Sequence, residues 1–212
     1  AHKQDMTIEK TMRPGADLKL FRKEDEGSAE WKDIFERMTA EQRADWEDAY
    51  RARNEEYWSG KYQGKELVRF KYQCYIRDYM RCVASVDDNV GRVLDYLETS
   101  GLDKNTLIFY SSDQSFYLGE HGWFDKRFMY EESLRTPLLA RWRGVIKPGS
   151  EIDAMVQNLD YAVTFLAAAG AAVPANMQGT SMLPLLRVQT ADDWRKPCGQ
   201  RLKLRLRLCG GR

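Results

Sequence analysis

Asp113 and Gln114 stand directly after the apolar run Thr106-Leu107-Ile108-Phe109-Tyr110-Ser111-Ser112, and His121 and Lys126 follow within one loop. The run is short, β-branched, aromatic and continuous rather than alternating, which predicts a strand buried on both faces. In open α/β sheets, ligand-binding groups sit just beyond the carboxyl ends of such strands. A carboxylate and an amide there offer hard oxygen donors of the kind that calcium and magnesium take. An imidazole titrates near neutrality, and a lysine supplies a compact fixed cation. A hard-cation site, an acid/base group and an anion-holding cation together point to hydrolysis of an anionic ester.

The same residues carry a family pattern. The stretch from Ser111 through Asp113, Gln114, Gly119, His121 and Gly122 to Lys126 and Arg127, followed by Met129 to Leu139, resembles the C-terminal half of formylglycine-dependent sulfatases. The resemblance continues through Trp142-Arg143-Gly144-Val145-Ile146-Lys147-Pro148-Gly149 to Gly179-Thr180-Ser181-Met182-Leu183-Pro184-Leu185-Leu186. Upstream, Val83 to Leu94 resembles the helix that precedes the strand, so the likeness covers about Lys65 to Arg187. It implies an alkaline-phosphatase-like α/β fold, a layered sheet with flanking helices, of which the N-terminal half is absent. It also implies a Ca²⁺ site that includes Asp113 and Gln114, a sulfate oxygen held by Lys126, and His121 assisting departure of the alcohol. The substrate class is a sulfate monoester on a carbohydrate, and a periplasmic or secreted setting accords with the family. Arg127 and Arg141 are read as structural.

The family's nucleophile is a formylglycine made from a Cys or Ser in a Cys/Ser-x-Pro/Ala-x-Arg context. None of the four cysteines fits: Cys74 precedes Tyr75-Ile76-Arg77, Cys82 precedes Val83-Ala84-Ser85, and Cys198 and Cys209 precede glycines. No serine fits, and the paired aspartates of the family's first strand are missing too. Calcium takes about six to eight oxygen ligands, of which Asp113 and Gln114 supply only a part. The expectation is half of an active site, with no turnover by this chain alone. Two alternatives stand beside the sulfatase reading: a phosphate or phosphonate monoester hydrolase of the same superfamily, and a non-catalytic remnant or binding module. The position after Gln114, usually Gly in the family, is Ser115; a positive φ there would strain it.

The elements that must hold these residues can be placed by pattern. Residues 1–64 read as a polar loop followed by a helical insertion, 65–187 as the C-terminal part of a catalytic domain, and 188–212 as an atypical basic tail. Within the first part, residues 1–27 have few apolar anchors and read as loop, with Ala29 to Met38 a short helix. Thr39-Ala40-Glu41-Gln42 is a capping box opening a helix to about Trp58, a helix that could wall a substrate cleft. From Lys65, apolar residues from Tyr72 through Val83, Val86, Val90 and Val93 to Leu97 recur at steps of three and four, a long amphipathic helix stopped by Gly101. Asp87 and Asp88 within it read as structural, Asp87 fixing how the helix meets the sheet. Leu138 to Trp142 is a second strand, Pro148-Gly149 a turn, and Asp160 caps a helix that ends before Gly170.

Composition excludes little. The chain has 212 residues, 43% of them hydrophobic and 31% charged, with a formal net charge of +1. Near-neutrality gives no reason to expect a nucleic-acid partner, and no stretch approaches the ~20 apolar residues of a membrane span. Oligomeric state is not legible. Cys74 and Cys82 lie about 12 Å apart along one helix at 1.5 Å per residue, too far for a mutual disulfide. The end alternates strictly over Arg201 to Leu208, which would form a strand with one cationic face. It lacks aromatic residues for base stacking, and the favoured reading is an aberrant C-terminus.

Overall fold

The computed structural model describes residues 6–187 together with Trp194 and Arg195. The helices are α1 (Pro14–Leu18), α2 (Ala29–Phe35), α3 (Ala40–Trp58), α4 (Gly64–Thr99), α5 (Glu131–Leu134), α6 (Leu159–Ala168) and α7 (Leu183–Leu186). The strands are β1 (Ile108–Ser111), β2 (Tyr117–Leu118), β3 (Phe124–Asp125) and β4 (Leu138–Arg141). The class is α/β. Two compact units share the chain: one contains the residues up to Val86 plus Tyr117–Asp125, the other Asp87–Phe116 plus the residues from Lys126 onward. The boundary at Val86 falls inside α4.

In the first unit the expected capping box of α3 is present. Thr39 Oγ1 accepts from Gln42 N at 3.2 Å and Gln42 Oε1 accepts from Thr39 N at 2.9 Å, closing the capping box of α3. Ser28 caps α2 through Trp31 N. The segment before Ser28, expected as a loop poor in apolar anchors, instead supplies much of the core. Met6, Ile8, Met12, Leu18, Leu20 and Phe21 are all buried. Ile8, Met12, Leu18 and Leu20 pack with Cys74 of α4, while Phe21 joins Trp31 and Phe35 in an aromatic cluster closed by Trp46. These apolar residues follow no helical or strand period, so pattern reading passes over them; each is used singly as an anchor. Lys71 of α4 ties the segment down by donating to the carbonyls of Glu9 and Met12, both at 3.4 Å, and burial lowers its pKa. Arg53 of α3 adds a bidentate pair with Asp78 of α4 at 3.0 and 2.8 Å.

In the second unit β1 and β4 pair antiparallel, with Phe109 opposite Ala140 and Ser111 opposite Leu138. That face meets the core of Leu138, Ala140, Ile146, Val156, Met182, Leu185 and Leu186. Phe109 also meets Tyr161 and Phe165 of α6 edge-on, at 5.8 and 5.0 Å between ring centroids. The strand expected over 106–112 is shorter and less enclosed than its run of apolar residues implied. Ile108 and Phe109 are half-buried, Tyr110 is exposed, and among the described residues β1 has β4 as its one neighbour. The layered sheet expected here is represented among the described residues by two sheets of two strands, β1–β4 and β2–β3. Gly101 stops α4 in the left-handed conformation at φ 71°, and Gly149 (φ 74°) and Gly170 (φ 68°) do the same for the 147–150 turn and α6. Asp87, expected to pin α4 to the sheet, is exposed and so is Asp88. The joint is made by Arg143 instead, whose Nε lies 2.9 Å from the buried Asp103 and whose Nη2 lies 2.8 Å from Glu98; Arg141 reaches both acids at longer range. Arg141 is thus structural, as read. Cys74 is buried and Cys82 exposed, both as free thiols. His2, Lys3, Cys198, Cys209 and the alternating stretch 201–208 lie outside the described residues. No helix of the described residues is long and apolar enough to cross a membrane.

Candidate active site

In the second unit the backbone leaves β1 at Ser111 and turns at once. Ser112 Oγ donates to the Gln114 carbonyl at 2.6 Å and lies 3.4 Å from both Gln114 N and Asp113 Oδ1. A short hydroxyl at position 112 thereby folds the turn back on itself and leaves the Asp113 and Gln114 side chains exposed beyond the strand end. Asn158, at the start of α6, donates to the Asp113 carbonyl at 3.2 Å and fixes the turn from the other side. The strain expected at Ser115 is not there. Ser115 is not among the residues with positive φ, and its N–H donates to the Ser133 carbonyl at 3.2 Å. An ordinary extended or helical φ admits any L residue, so Ser costs nothing special at this position.

The same Ser133, in α5, donates its Oγ to the Lys126 carbonyl at 3.3 Å. One residue therefore holds both the loop that follows Gln114 and the backbone of Lys126. Asp113, Gln114 and Lys126 belong to this one unit, with the ammonium of Lys126 exposed. Sequence reading missed Ser133 as a site residue, because a carbonyl and a hydroxyl linking two segments leave no pattern along the chain.

His121 belongs to the other unit, on the connection of the β2–β3 hairpin, where Tyr117 pairs Asp125 and Leu118 pairs Phe124. The connection is a single tight turn in which Gly119 (φ 119°), His121 (φ 59°) and Gly122 (φ 73°) are all left-handed. For a non-glycine residue this conformation is uncommon, though His is among those that tolerate it. Such strain persists only where the surroundings enforce it, and it concentrates at functional loops. The enforcement is visible. Glu120 Oε2 accepts from Leu118 N at 2.7 Å, the Gly122 carbonyl accepts from Ile8 N at 3.1 Å, and Phe124 N donates to the Met6 carbonyl at 2.9 Å. Tyr75 of α4 donates its hydroxyl to the Tyr117 carbonyl at 2.8 Å, and burial pushes that phenol's pKa well above its ordinary value. The exposed imidazole of His121 meets the rings of Trp123 and Tyr117, at 5.1 and 6.3 Å between centroids, and those two rings also meet each other at 5.5 Å. Placement on a rigid hairpin turn, rather than a slack loop, is what an imidazole needs to meet a reacting group at a fixed distance.

Among the described residues no group of three or more His, Cys, Asp or Glu side chains is placed to hold a metal ion. Asp113 and Gln114 offer two oxygen donors side by side, so the donor set fits part of the sphere of a hard cation.

Comparison with known proteins gives these residues a context. A family profile described as N-sulphoglucosamine sulphohydrolase, C-terminal, matches residues 119–199. The chain is 47% identical over 201 residues to an N-acetylglucosamine-6-O-sulfatase of Bacteroides thetaiotaomicron, covering 92% of this chain and 36% of that protein. It superposes with a TM-score of 0.86 and 47% identity on a solved structure of a protein in complex with its substrate D-glucosamine-2-N,6-O-disulfate, over 92% of this chain and 40% of the other. A phosphonate monoester hydrolase from Silicibacter pomeroyi superposes less well, with a TM-score of 0.52, 29% identity and coverage of 61% of this chain and 24% of the other. The chain thus spans little more than a third of the length of the proteins it resembles over most of its own length.

Proposed function

Because the chain belongs to the sulfatase family, as its C-terminal portion, we propose that it contributes the substrate-holding side of a carbohydrate sulfatase acting on a sulfate ester of a glucosamine unit. The observation that carries this reading is the likeness, along nearly the whole chain, to an N-acetylglucosamine-6-O-sulfatase. Hydrolysis of a sulfate monoester breaks the bond between sulfur and the sugar oxygen. The oxygens on sulfur carry negative charge throughout, and the departing alkoxide needs a proton. Lys126 supplies a point charge to one sulfate oxygen, and the imidazolium of His121 gives its proton to the alkoxide. Asp113 and Gln114 would hold part of the sphere of a hard cation such as Ca²⁺, which when bound would polarise a sulfate oxygen as a Lewis acid. Ser112 and Asn158 position the turn of Asp113 and Gln114, and Ser133 the backbone of Ser115 and Lys126. The formylglycine expected of the family has no counterpart in this sequence, and the remaining cation ligands are not among the described residues.

The chain by itself is therefore expected to show no turnover. The test is a chimera in which this chain replaces the matching part of the Bacteroides relative. It should hydrolyse N-acetylglucosamine-6-sulfate. Lys126→Ala should lower kcat/KM by roughly a hundredfold or more, as loss of one charge-stabilising group does, and His121→Ala should lower kcat by about 10²–10⁴ with an altered pH profile. A folded chimera indifferent to Lys126→Ala would overturn the assignment. The likeness to a phosphonate monoester hydrolase supports a second reading, and a chimera that prefers a phosphonate monoester over the sulfate would select it.

A further inference from the structure

The first unit holds a cleft of about 520 Å³ between α3 and α4, a volume in the range of small-ligand sites. Its α4 wall is a ridge. Arg69, Gln73, Arg77 and Arg81 all line the cleft, and their spacing of four residues puts them on one side of the helix at steps of about 6 Å. Its α3 wall carries Ala49 and Ala52, whose small side chains leave the space open, and Phe70 and Cys74 contribute apolar lining. Cys74 is buried and burial pushes its thiol up to about 11, so the thiol is neutral and acts as plain apolar surface.

The guanidinium groups of the ridge differ in what already holds them. Arg53, on the opposite wall, is already committed: it grips Asp78 through two bonds, donates to the Leu18 carbonyl at 3.1 Å, and stacks on Tyr50 at 4.1 Å, while its buried Nε has no hydrogen-bond partner among the described residues. It sets the distance between the helices. Arg69 pairs with Glu66 at 2.6 Å and Arg81 with Asp78 at 3.0 Å, with both arginine side chains largely exposed. The arginine heads remain largely in solvent, so an incoming anion can share them at little cost. Arg77 is exposed and has no ion pair or hydrogen bond among the described residues.

We propose that this cleft binds a sulfated oligosaccharide, with one sulfate between Arg77 and Arg81, a second toward Arg69, and the sugar rings against the apolar lining. A row of guanidiniums at intervals of several ångströms matches anionic groups separated by neutral rings. The carboxylates of Glu56 and Glu66, which also line the cleft, oppose a ligand as densely charged as a nucleic acid. The choice of sulfate rests on the reading of the chain as a carbohydrate sulfatase, whereas the anion-binding ridge rests on the cleft alone.

Isothermal titration of the full chain with a heparin-derived tetrasaccharide tests it. Saturable binding is expected, and a chemically desulfated tetrasaccharide should not bind. Arg77→Glu, at an exposed position without an intramolecular partner, should keep the helical circular dichroism and melting temperature yet weaken binding by about tenfold or more, as reversal of a charge contact does. Arg77→Lys should retain most of the affinity. Binding unchanged by Arg77→Glu overturns the cleft assignment and leaves the sulfatase reading standing. Equal affinity for a single-stranded DNA of matched charge overturns the glycan assignment. An inactive chimera with tetrasaccharide binding still dependent on Arg77 overturns the catalytic reading alone.

Discussion

Single side chains in this protein act mainly by holding backbone. Asp160 is the clearest instance: it is completely buried, its carboxylate accepts from Gln157 N at 2.7 Å and Thr180 N at 2.8 Å, and it pairs with Arg195 through two bonds at 2.7 and 2.9 Å. The sequence placed Asp160 as the cap of α6. The helix instead begins at Leu159, with Asn158 at its N-cap and no side-chain cap; Asp160 lies in the first turn, reaches back to Gln157 N, and gathers Thr180 and Arg195 from distant positions. Burial alone would raise its pKa; the guanidinium and the two backbone donors outweigh burial and hold it below the usual carboxylate value. A depressed folded pKa means the stabilisation is present above the unfolded value of about 4 and is lost as pH falls through the folded pKa. Asp160→Ala, which leaves Arg195 without its partner, should destabilise by roughly 3 kcal/mol near neutral pH. Thermal melts of wild type and variant between pH 7 and pH 2 should converge on acidification. A gap that stays constant across that range would refute the role of the charge.

At the scale of elements, the sequence was most legible where a local rule is sufficient. The capping box at Thr39, the glycine stop at Gly101 and the turn at Gly149 each need only neighbours along the chain, and each stands where the pattern put it. The strand end before Asp113 was legible for a related reason: an apolar run followed by a carboxylate and an amide is a local signal, and only Ser112 separates β1 from Asp113 and Gln114. What could not be read is what depends on distant partners. Burial of the segment from Met6 to Phe21 comes from contacts with α4 and the aromatic cluster, and the link through Ser133 joins positions brought near by folding. The hairpin turn of His121 combines both kinds. Its glycines were visible, but the reason Gly119 must be glycine was not: a Cβ there would lie 2.7 Å from the Tyr72 ring of α4, at a φ of 119°. Gly119→Ala should therefore cost about 1–3 kcal/mol and displace the turn that carries His121. A melting temperature equal to wild type, with unchanged activity in the chimera, would show that the turn is not pinned in this way.

At the scale of the whole molecule, the exposed apolar surface calls for explanation. Along α4 the side chains of Met80, Val83, Val86 and Val93 are 54%, 43%, 47% and 58% exposed, although they belong to the periodic stripe that marks a packing face. In the second unit, β1 pairs on one side only among the described residues, and an open strand edge is a template for further pairing. Scattered apolar residues on a surface are ordinary, but a periodic apolar stripe along one helix and an open strand edge are each a place for association. The related proteins contain far more chain than the span they share with this one, and the expectation is that part of that additional chain covers such a stripe. In isolation the chain should consequently bind a hydrophobic dye such as ANS and self-associate in sedimentation at micromolar concentration. Val86→Lys with Val93→Glu, both at exposed helical positions, should reduce dye binding and association while leaving helicity intact. Adding the N-terminal part of the Bacteroides relative should do the same for the unsubstituted chain by covering the stripe. A chain that is monomeric and dye-silent without either change would mean the stripe is already satisfied, and α4 would then be a solvent-facing helix with its valines and methionine there for helix geometry alone.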